Sequence, residues 1–282
     1  MARFWPTLLL LLLSGCNAAE KSQESITLAT TTSVQDTGLL DMLLPLFQKQ
    51  SGIQVKAVAV GSGQALEIGR RGDADVLITH APAAEKDFMA QGFGAQRQPL
   101  MRNDFVLLGP TSDPIVAPRV SPIAQAVQRL ADQNLPFISR GDESGTHIKE
   151  REIWRAAGIQ PEGPWYIKAG GGMAQTLRMA SEKRAYTLSD RGTFVALRKQ
   201  LDLKIVSQGD PLLINRYSLI LVNPAKHTHV RHAAARQFAE FLRSPDVQRQ
   251  IADFGVAQYG EPLFFPDAGA AEKKPVATKG AS

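Results

Sequence analysis

Three short stretches of small hydroxylic and glycine residues carry the chemistry open to this sequence: Thr31-Thr32-Ser33, Gly61-Ser62-Gly63 and Arg140-Gly141-Asp142-Glu143-Ser144-Gly145-Thr146. Each follows an apolar run and precedes a segment with helical spacing. At a strand-to-helix turn of this kind, hydroxyls and free backbone N–H groups point one way, and the helix dipole favours an anion. Serine and threonine there are also ordinary helix caps, and for one turn alone capping is the simpler account. Three such turns in one chain, the last opened by an arginine, point instead to a binding site. Hydroxyls, amides and one guanidinium suit a small oxyanion, and an arginine fork can grip two of its oxygens.

Other chemistries find less support. Neither a Gly-x-Ser-x-Gly nucleophile turn nor a Gly-x-x-x-x-Gly-Lys-Ser/Thr phosphate loop occurs. A Ser144–His147 pair would put nucleophile and base on one helix without a third orienting group, so a serine-type hydrolase is a minor alternative and no catalytic residue is assigned. His227, His229 and His232 straddle the start of a helical segment and are expected at the surface. No metal site and no cofactor follow from them. No aromatic cluster flanks the turns to stack a sugar or a base.

The elements that must position these turns alternate short apolar runs with helical patterns, which predicts α/β layers with mostly parallel strands. Strands are expected at Ile26–Thr30, Gln54–Val60, Asp75–Thr79 and Arg102–Leu108, with helices at Gly38–Lys49 and Gln64–Arg71. The Pro-broken stretch Gly109–Pro118 is expected to carry the chain to a second lobe. That lobe should hold helices at Pro122–Asp132, Ser144–Ala157, Met173–Glu182 and Arg191–Gln200, and strands at Pro136–Ser139, Tyr166–Ile167, Arg184–Leu188 and Lys204–Ser207. Tyr217–Val222 then returns to the first lobe, which the helix Arg231–Leu242 completes. In domains, residues 26–108 with 215–266 form lobe 1, and residues 109–214 form lobe 2.

The N-terminus reads as an address. Arg3, the apolar run Leu8–Leu13 and the tetrad Leu13-Ser14-Gly15-Cys16 have the order of a secretory signal, too short to span a bilayer as a helix. The tetrad resembles the lipobox of bacterial lipoproteins. It implies a signal peptide over residues 1–15, lipidation of Cys16 and a tether over 16–25 that holds the protein at the periplasmic or outer cell surface. Cys16 is the single cysteine among 282 residues, so no disulfide forms within the chain. Residues 267–282 are rich in Ala, Gly and Lys and read as a disordered tail. A net charge of +5 without a clustered Lys/Arg run argues against nucleic-acid binding, and 44% hydrophobic residues suffice for two domains.

Several segments together resemble the tungstate-binding proteins of bacterial ABC transporters. They are Thr30-Thr31-Thr32-Ser33, Asp36-Thr37-Gly38-Leu39-Leu40, Val60-Gly61-Ser62-Gly63-Gln64-Ala65, Gly72-Asp73-Ala74-Asp75-Val76, His80-Ala81-Pro82, Arg140 through His147, Ala185 through Thr193, and Asn215-Arg216-Tyr217. The resemblance spans residues 26–265. It implies a two-lobed type II periplasmic-binding-protein fold with mixed sheets, helices on both faces and the ligand between lobes. It also implies a monomer that hands its anion to a permease and an ATPase. Carried over residue by residue, the ligand set is Thr32, Ser33, Ser62, Arg140, Ser144, Gly145 and Thr146, with Thr31, His80 and Tyr186 as further candidates and Tyr186 closing the cleft. Asp142 is expected to orient Arg140 rather than touch a dianion. Phosphate binders of the same fold carry an aspartate where His80 stands, to accept the proton of phosphate. A fully deprotonated tungstate or molybdate needs donors only, which leaves phosphate as the second choice. Packing of His80 beside Pro82 is the simpler role for that residue.

Overall fold

The computed structural model describes residues 23–112, 122–142 and 144–269. The signal segment, Cys16, most of the tether, Glu143 and the tail from residue 270 lie outside the described residues.

The described residues open with strand β1 (Ser25–Thr31), the one-turn helix α1 (Thr32–Gln35), helix α2 (Leu39–Ser51), β2 (Gln54–Val60), α3 (Ser62–Arg71), β3 (Val76–Thr79) and α4 (Pro82–Ala90). Glycines end the two longer helices expected here. Gly52 and Gly72 sit at φ +74° and +78°, where a side chain would strain the backbone, and each returns its N–H to the last turn. Leu39, Leu40, Leu43 and Phe47 form the buried stripe of α2. The helix α4 was not expected; Pro82 starts it at a position where a missing N–H costs nothing, and Phe88 anchors it in the core.

One long strand, β4 (Gly94–Pro110), then joins the lobes. Its residues 94–104 pair with the returning strand, and residues 105–110 pair with strands of the second lobe. The partner changes between Asp104 and Phe105, ahead of the expected crossing at Gly109–Pro118, part of which lies outside the described residues. An unbroken strand through the crossing lets the backbone keep its ladder while changing sheets.

The second lobe runs α5 (Ile123–Asp132), β5 (Phe137–Ser139), α6 (Gly145–Ala156), β6 (Tyr166–Lys168), α7 (Met173–Glu182), β7 (Tyr186–Asp190), α8 (Arg191–Leu197) and β8 (Leu203–Ser207). β7 begins two residues later than expected because Arg184, at φ +49°, belongs to the turn that closes α7. The return strand β9 (Ile214–Val222) leads to α9 (His232–Arg243), α10 (Pro245–Asp253), the single turn α11 (Val256–Tyr259) and β10 (Phe265–Pro266).

The strand order is β2-β1-β3-β9-β4-β7-β5-β6, with β8 and β10 also on β4. Pairings are parallel within each βα series, β1 with β2 and β3, and β5 with β6 and β7. Around β4 and β9 they are antiparallel, so the expectation of mostly parallel strands fails for the crossing region. The physical reason is connectivity: a strand that carries the chain between lobes has no crossover helix to return it in parallel. Helices cover both faces of the sheets. In the second lobe Ile123, Val127, Ile153 and Trp154 pack on one face, and Leu177 and Phe194 on the other.

Candidate functional site

The parallel strands β1, β2 and β5 end at the three turns singled out above, and in open α/β sheets such carboxyl ends open onto the ligand crevice. The N-caps of α1 and α3 are Thr31 and Gly61, and neither makes a side-chain cap bond. At α6, Ser144 Oγ accepts the His147 N–H at 3.3 Å, a cap that leaves the earlier amides of Gly145 and Thr146 for another acceptor.

A polar network at the crossing strands ties the first two turns together. Thr31 Oγ1 and Ser33 Oγ lie 3.1 Å apart, and Ser33 Oγ lies 3.3 Å from the Tyr217 hydroxyl. That hydroxyl is 3.1 Å from Asn215 Nδ2, which also donates to Asn103 Oδ1 at 2.8 Å. The ring of His80 packs on Tyr217 with centroids 5.0 Å apart, and the His80 N–H donates to Ser62 Oγ at 3.3 Å. Tyr217, Asn103 and Asn215 are buried, which leaves their polar atoms dependent on one another. Burial pushes the Tyr217 hydroxyl far above its ordinary range, so it stays a neutral donor. Burial likewise lowers the His80 imidazole to about 4, against the opposing pull of Glu85 and of a hydrogen bond with Asn215.

The third turn meets this network across the cleft. Gly145 lies against the His80 ring: a Cβ built at Gly145 would fall 2.5 Å from His80 Cε1. Thr146 beside it is buried, whereas Thr32 across the cleft is exposed. Arg140 gives its Nε and Nη2 hydrogens to one oxygen of Asp142, while the other oxygen takes the Ser144 N–H at 3.2 Å. Burial raises the Asp142 carboxyl, but hydrogen bonds from Ser144 and Arg140 outweigh it and hold the group below its ordinary value. Thus Asp142 occupies the Nε–Nη2 edge of the guanidinium, and among the described residues no other hydrogen-bond acceptor engages it. Asp190, the N-cap of α8, is within electrostatic reach of both Arg140 and Tyr217, which puts all three in one neighbourhood.

The structure therefore gathers Thr31, Ser33, Ser62, His80 and Gly145 by contact, with Ser144, Thr146 and Arg140 on the same turn as Gly145. Tyr186 does not join them. Its ring lies in the second-lobe core against Gly109, where a Cβ would sit 2.5 Å from Tyr186 Cε1. The alternation of β7 aims residue 186 at the α5–α6 side of the sheet, so the expected cleft-closing role is corrected. His229 and His227 serve the turn at Gly72 instead; His229 Nε2 lies 2.9 Å from Gly72 O and the His227 ring packs beside Gly72.

Sequence reasoning missed Asn103, the Tyr217 hydroxyl and the loop Gly170-Gly171-Gly172. That loop leads into α7 beside the Arg140 turn, with Gly170 N–H on Arg140 O at 3.0 Å. Asn215-Arg216-Tyr217 was visible as a motif, but a strand residue gives no sign of which face it shares with a turn. Glu150 was missed too. It is buried on α6 and accepts from Tyr166, Ser139 and the Arg140 N–H, which fixes the base of the arginine turn.

Comparison with known proteins adds three kinds of likeness. Residues 17–246 match the PBP superfamily domain. The tungstate-binding protein TupA of Peptoclostridium acidaminophilum is 46% identical over 272 residues, 93% of this chain and 95% of that protein. Among solved structures, the tungstate-binding protein TupA of Desulfovibrio alaskensis superposes with a TM-score of 0.80 at 43% identity, covering 87% of this chain and 99% of that one. The tungstate ABC transporter structure from Geobacter sulfurreducens gives 0.73 at 45% identity, covering 82% and 99%.

Proposed function

Because the chain belongs to the PBP superfamily and, within it, to the tungstate-binding proteins of ABC transporters, we propose that it captures one tetrahedral oxyanion, tungstate, outside the cytoplasm and delivers it to an importer. The observation that carries this reading is the meeting of Ser62, His80 and Gly145 across the cleft, which brings donor turns from both lobes to one place. In this reading Thr31, Thr32, Ser33 and Ser62 supply hydroxyl and amide donors from lobe 1. Ser144, Gly145, Thr146 and the remaining edge of Arg140 supply them from lobe 2.

A desolvated dianion needs a fixed positive partner as well as neutral hydrogen bonds. Arg140 is that partner, held in register by Asp142. A binding role rather than catalysis is supported by the relatives, which are named as binding proteins. The buried imidazole at position 80 carries no charge near neutral pH, and its hydrogen bond to Asn215 engages the ring. Position 80 itself offers no carboxylate to accept the proton of phosphate, which favours a fully deprotonated anion.

The tetrad Leu13-Ser14-Gly15-Cys16 supports lipidation of Cys16 as the membrane anchor, and among the described residues no helix is long and apolar enough to cross a membrane. A permease and an ATPase are the partners, and the protein acts as a monomer. The test is calorimetry on the protein without its lipid against tungstate, molybdate, sulfate and phosphate. One tungstate or molybdate per chain is expected, bound far more tightly than phosphate; phosphate as the tightest ligand would overturn the reading.

A further inference from the structure

His80 meets donor turns of both lobes, one through its backbone and the other through its ring. Its backbone N–H holds Ser62 Oγ at 3.3 Å, and its ring occupies the space where a side chain at Gly145 would stand. Gly145 has no positive φ, so space rather than backbone conformation requires glycine at that position. The nearest ring atom is the carbon Cε1, at 2.5 Å from the built Cβ. The ring turns its Cε1 edge to the Gly145 turn, with Nε2 and Nδ1 at 3.3 and 3.4 Å from the same built Cβ.

The ring itself has little freedom. Tyr217 packs on it at 5.0 Å between centroids, and a side-chain hydrogen bond ties it to Asn215. Asn215 is in turn held by Asn103 and the Tyr217 hydroxyl. A group so braced behaves as an incompressible wall, because repulsion rises steeply once packed atoms overlap.

We propose that His80 is a spacer: it sets how closely the Gly145 turn can approach the Ser62 turn when the cleft closes, and thereby selects tetrahedral oxyanions by size. The proposal rests on the oxyanion-binding reading above. Tungstate and molybdate have longer bonds from the central atom to oxygen than sulfate or phosphate. A fixed gap matched to the larger anions leaves the smaller ones unable to reach donors on both lobes at once. Each donor out of reach is then a buried polar group without its partner. The same geometry explains why position 145 carries no side chain: a methyl group there would hold the lobes apart.

The experiment is calorimetry with tungstate and with sulfate on the wild-type protein, His80→Ala and Gly145→Ala. His80→Ala should lower the tungstate-to-sulfate affinity ratio by about tenfold or more, within the range that one methylene of misfit produces in a packed pocket. Gly145→Ala should weaken both anions by about tenfold or more, some 1.4 kcal/mol, and leave the tungstate-saturated protein more open in small-angle scattering. Equal losses for both anions in His80→Ala would make His80 an ordinary ligand and overturn the spacer role, as would wild-type affinity in Gly145→Ala. Should His80→Ala fail to fold, His80→Asn shortens the side chain and keeps an amide for Asn215, and its ratio decides in the same way. Wild-type protein that binds neither anion removes the oxyanion reading itself, a result distinct from an unshifted ratio in a protein that binds.

Discussion

Replacing Arg140 by alanine should cost more than any other single change in the cleft. The guanidinium lends one edge to Asp142 through Nε and Nη2, which leaves Nη1 and the outer hydrogen of Nη2 for two oxygens of the anion. Hydrogen bonds to charged groups contribute about 1.5–3 kcal/mol each, so the pair is worth roughly 3–6 kcal/mol before the cost of drying the site. A second effect acts in the same direction. Without Arg140, Asp142 keeps its hydrogen bond from the Ser144 N–H but loses its cation, and an uncompensated carboxylate then faces the dianion. Arg140→Ala should therefore weaken tungstate binding by at least about two orders of magnitude, at 1.4 kcal/mol per decade. Arg140→Lys should recover part of that loss, because an ammonium restores charge without the fork. Adding Asp142→Ala to Arg140→Ala should also recover part, since it removes the stranded carboxylate, and the double-mutant cycle isolates that contribution. Calorimetry measures the affinities and thermal melting of the empty protein tests the alternative. If Arg140→Ala binds tungstate within a few-fold of wild type while the empty protein melts several degrees lower, Arg140 is a brace for its own turn and the reasoning fails.

Three further outcomes follow from the same structure. Tungstate at a hundredfold excess over Kd should stabilise the fold by about 2.7 kcal/mol, visible as a rise of roughly 5–10 °C in melting temperature; an unchanged melt would refute specific binding. Burial raises the Glu150 carboxyl from 4.5 to about 7 against the hydrogen bonds from Tyr166, Ser139 and the Arg140 N–H. Glu150 then ionises in the unfolded chain above pH 4.5 but in the fold only near pH 7, so folding retains a proton between those values and stability falls as pH rises through that window, by up to about 3 kcal/mol. Glu150→Gln should flatten the slope between pH 4.5 and 7 in chemical denaturation, and an unchanged slope would remove Glu150 as its source. Cys16→Ser should release the protein from the membrane fraction and change its mass; unchanged partition and mass would refute the lipid anchor.

The turns were legible in the sequence because their chemistry is local. A run of Thr and Ser after an apolar strand, or a glycine pair around Ser62, announces free donors without reference to the rest of the chain. Helices with a strong apolar stripe, such as α2 and α7, were legible for the same reason, since their period is written in consecutive residues. What was not legible depends on pairing partners distant in sequence. Asn103 and Tyr217 are 114 positions apart and meet only because β4 and β9 run antiparallel through the crossing. Tyr186 was misplaced because it opens β7, at the far end of the strand from Asp190 and the donor turns, so its ring packs in the second-lobe core. α4 was missed because a nine-residue helix with Glu85 and Phe88 as its buried side chains has little periodicity to read.

In the proposed reading, the crossing strand ties binding to closure. Asn103 and Asp104 are neighbours on β4, and alternation points them to opposite faces. Asn103 belongs to the network behind the anion turns, through Asn215 and the Tyr217 hydroxyl. Asp104 takes a bidentate ion pair from Arg191 at 2.7 and 2.6 Å, at the first turn of α8 in the second lobe. Arg191 also lies 3.5 Å from Glu261, and Arg198 reaches the same carboxylate at 2.7 Å, so the C-terminal segment that follows α11 is drawn to α8 as well. If one lobe rotates against the other, β4 carries the rotation where these two residues sit, because its pairing partner changes there. A ligand shifts such an equilibrium only by its difference in affinity between the open and closed forms. An anion that draws donors from both lobes has that difference, because the open form offers it one set of turns and the closed form offers both.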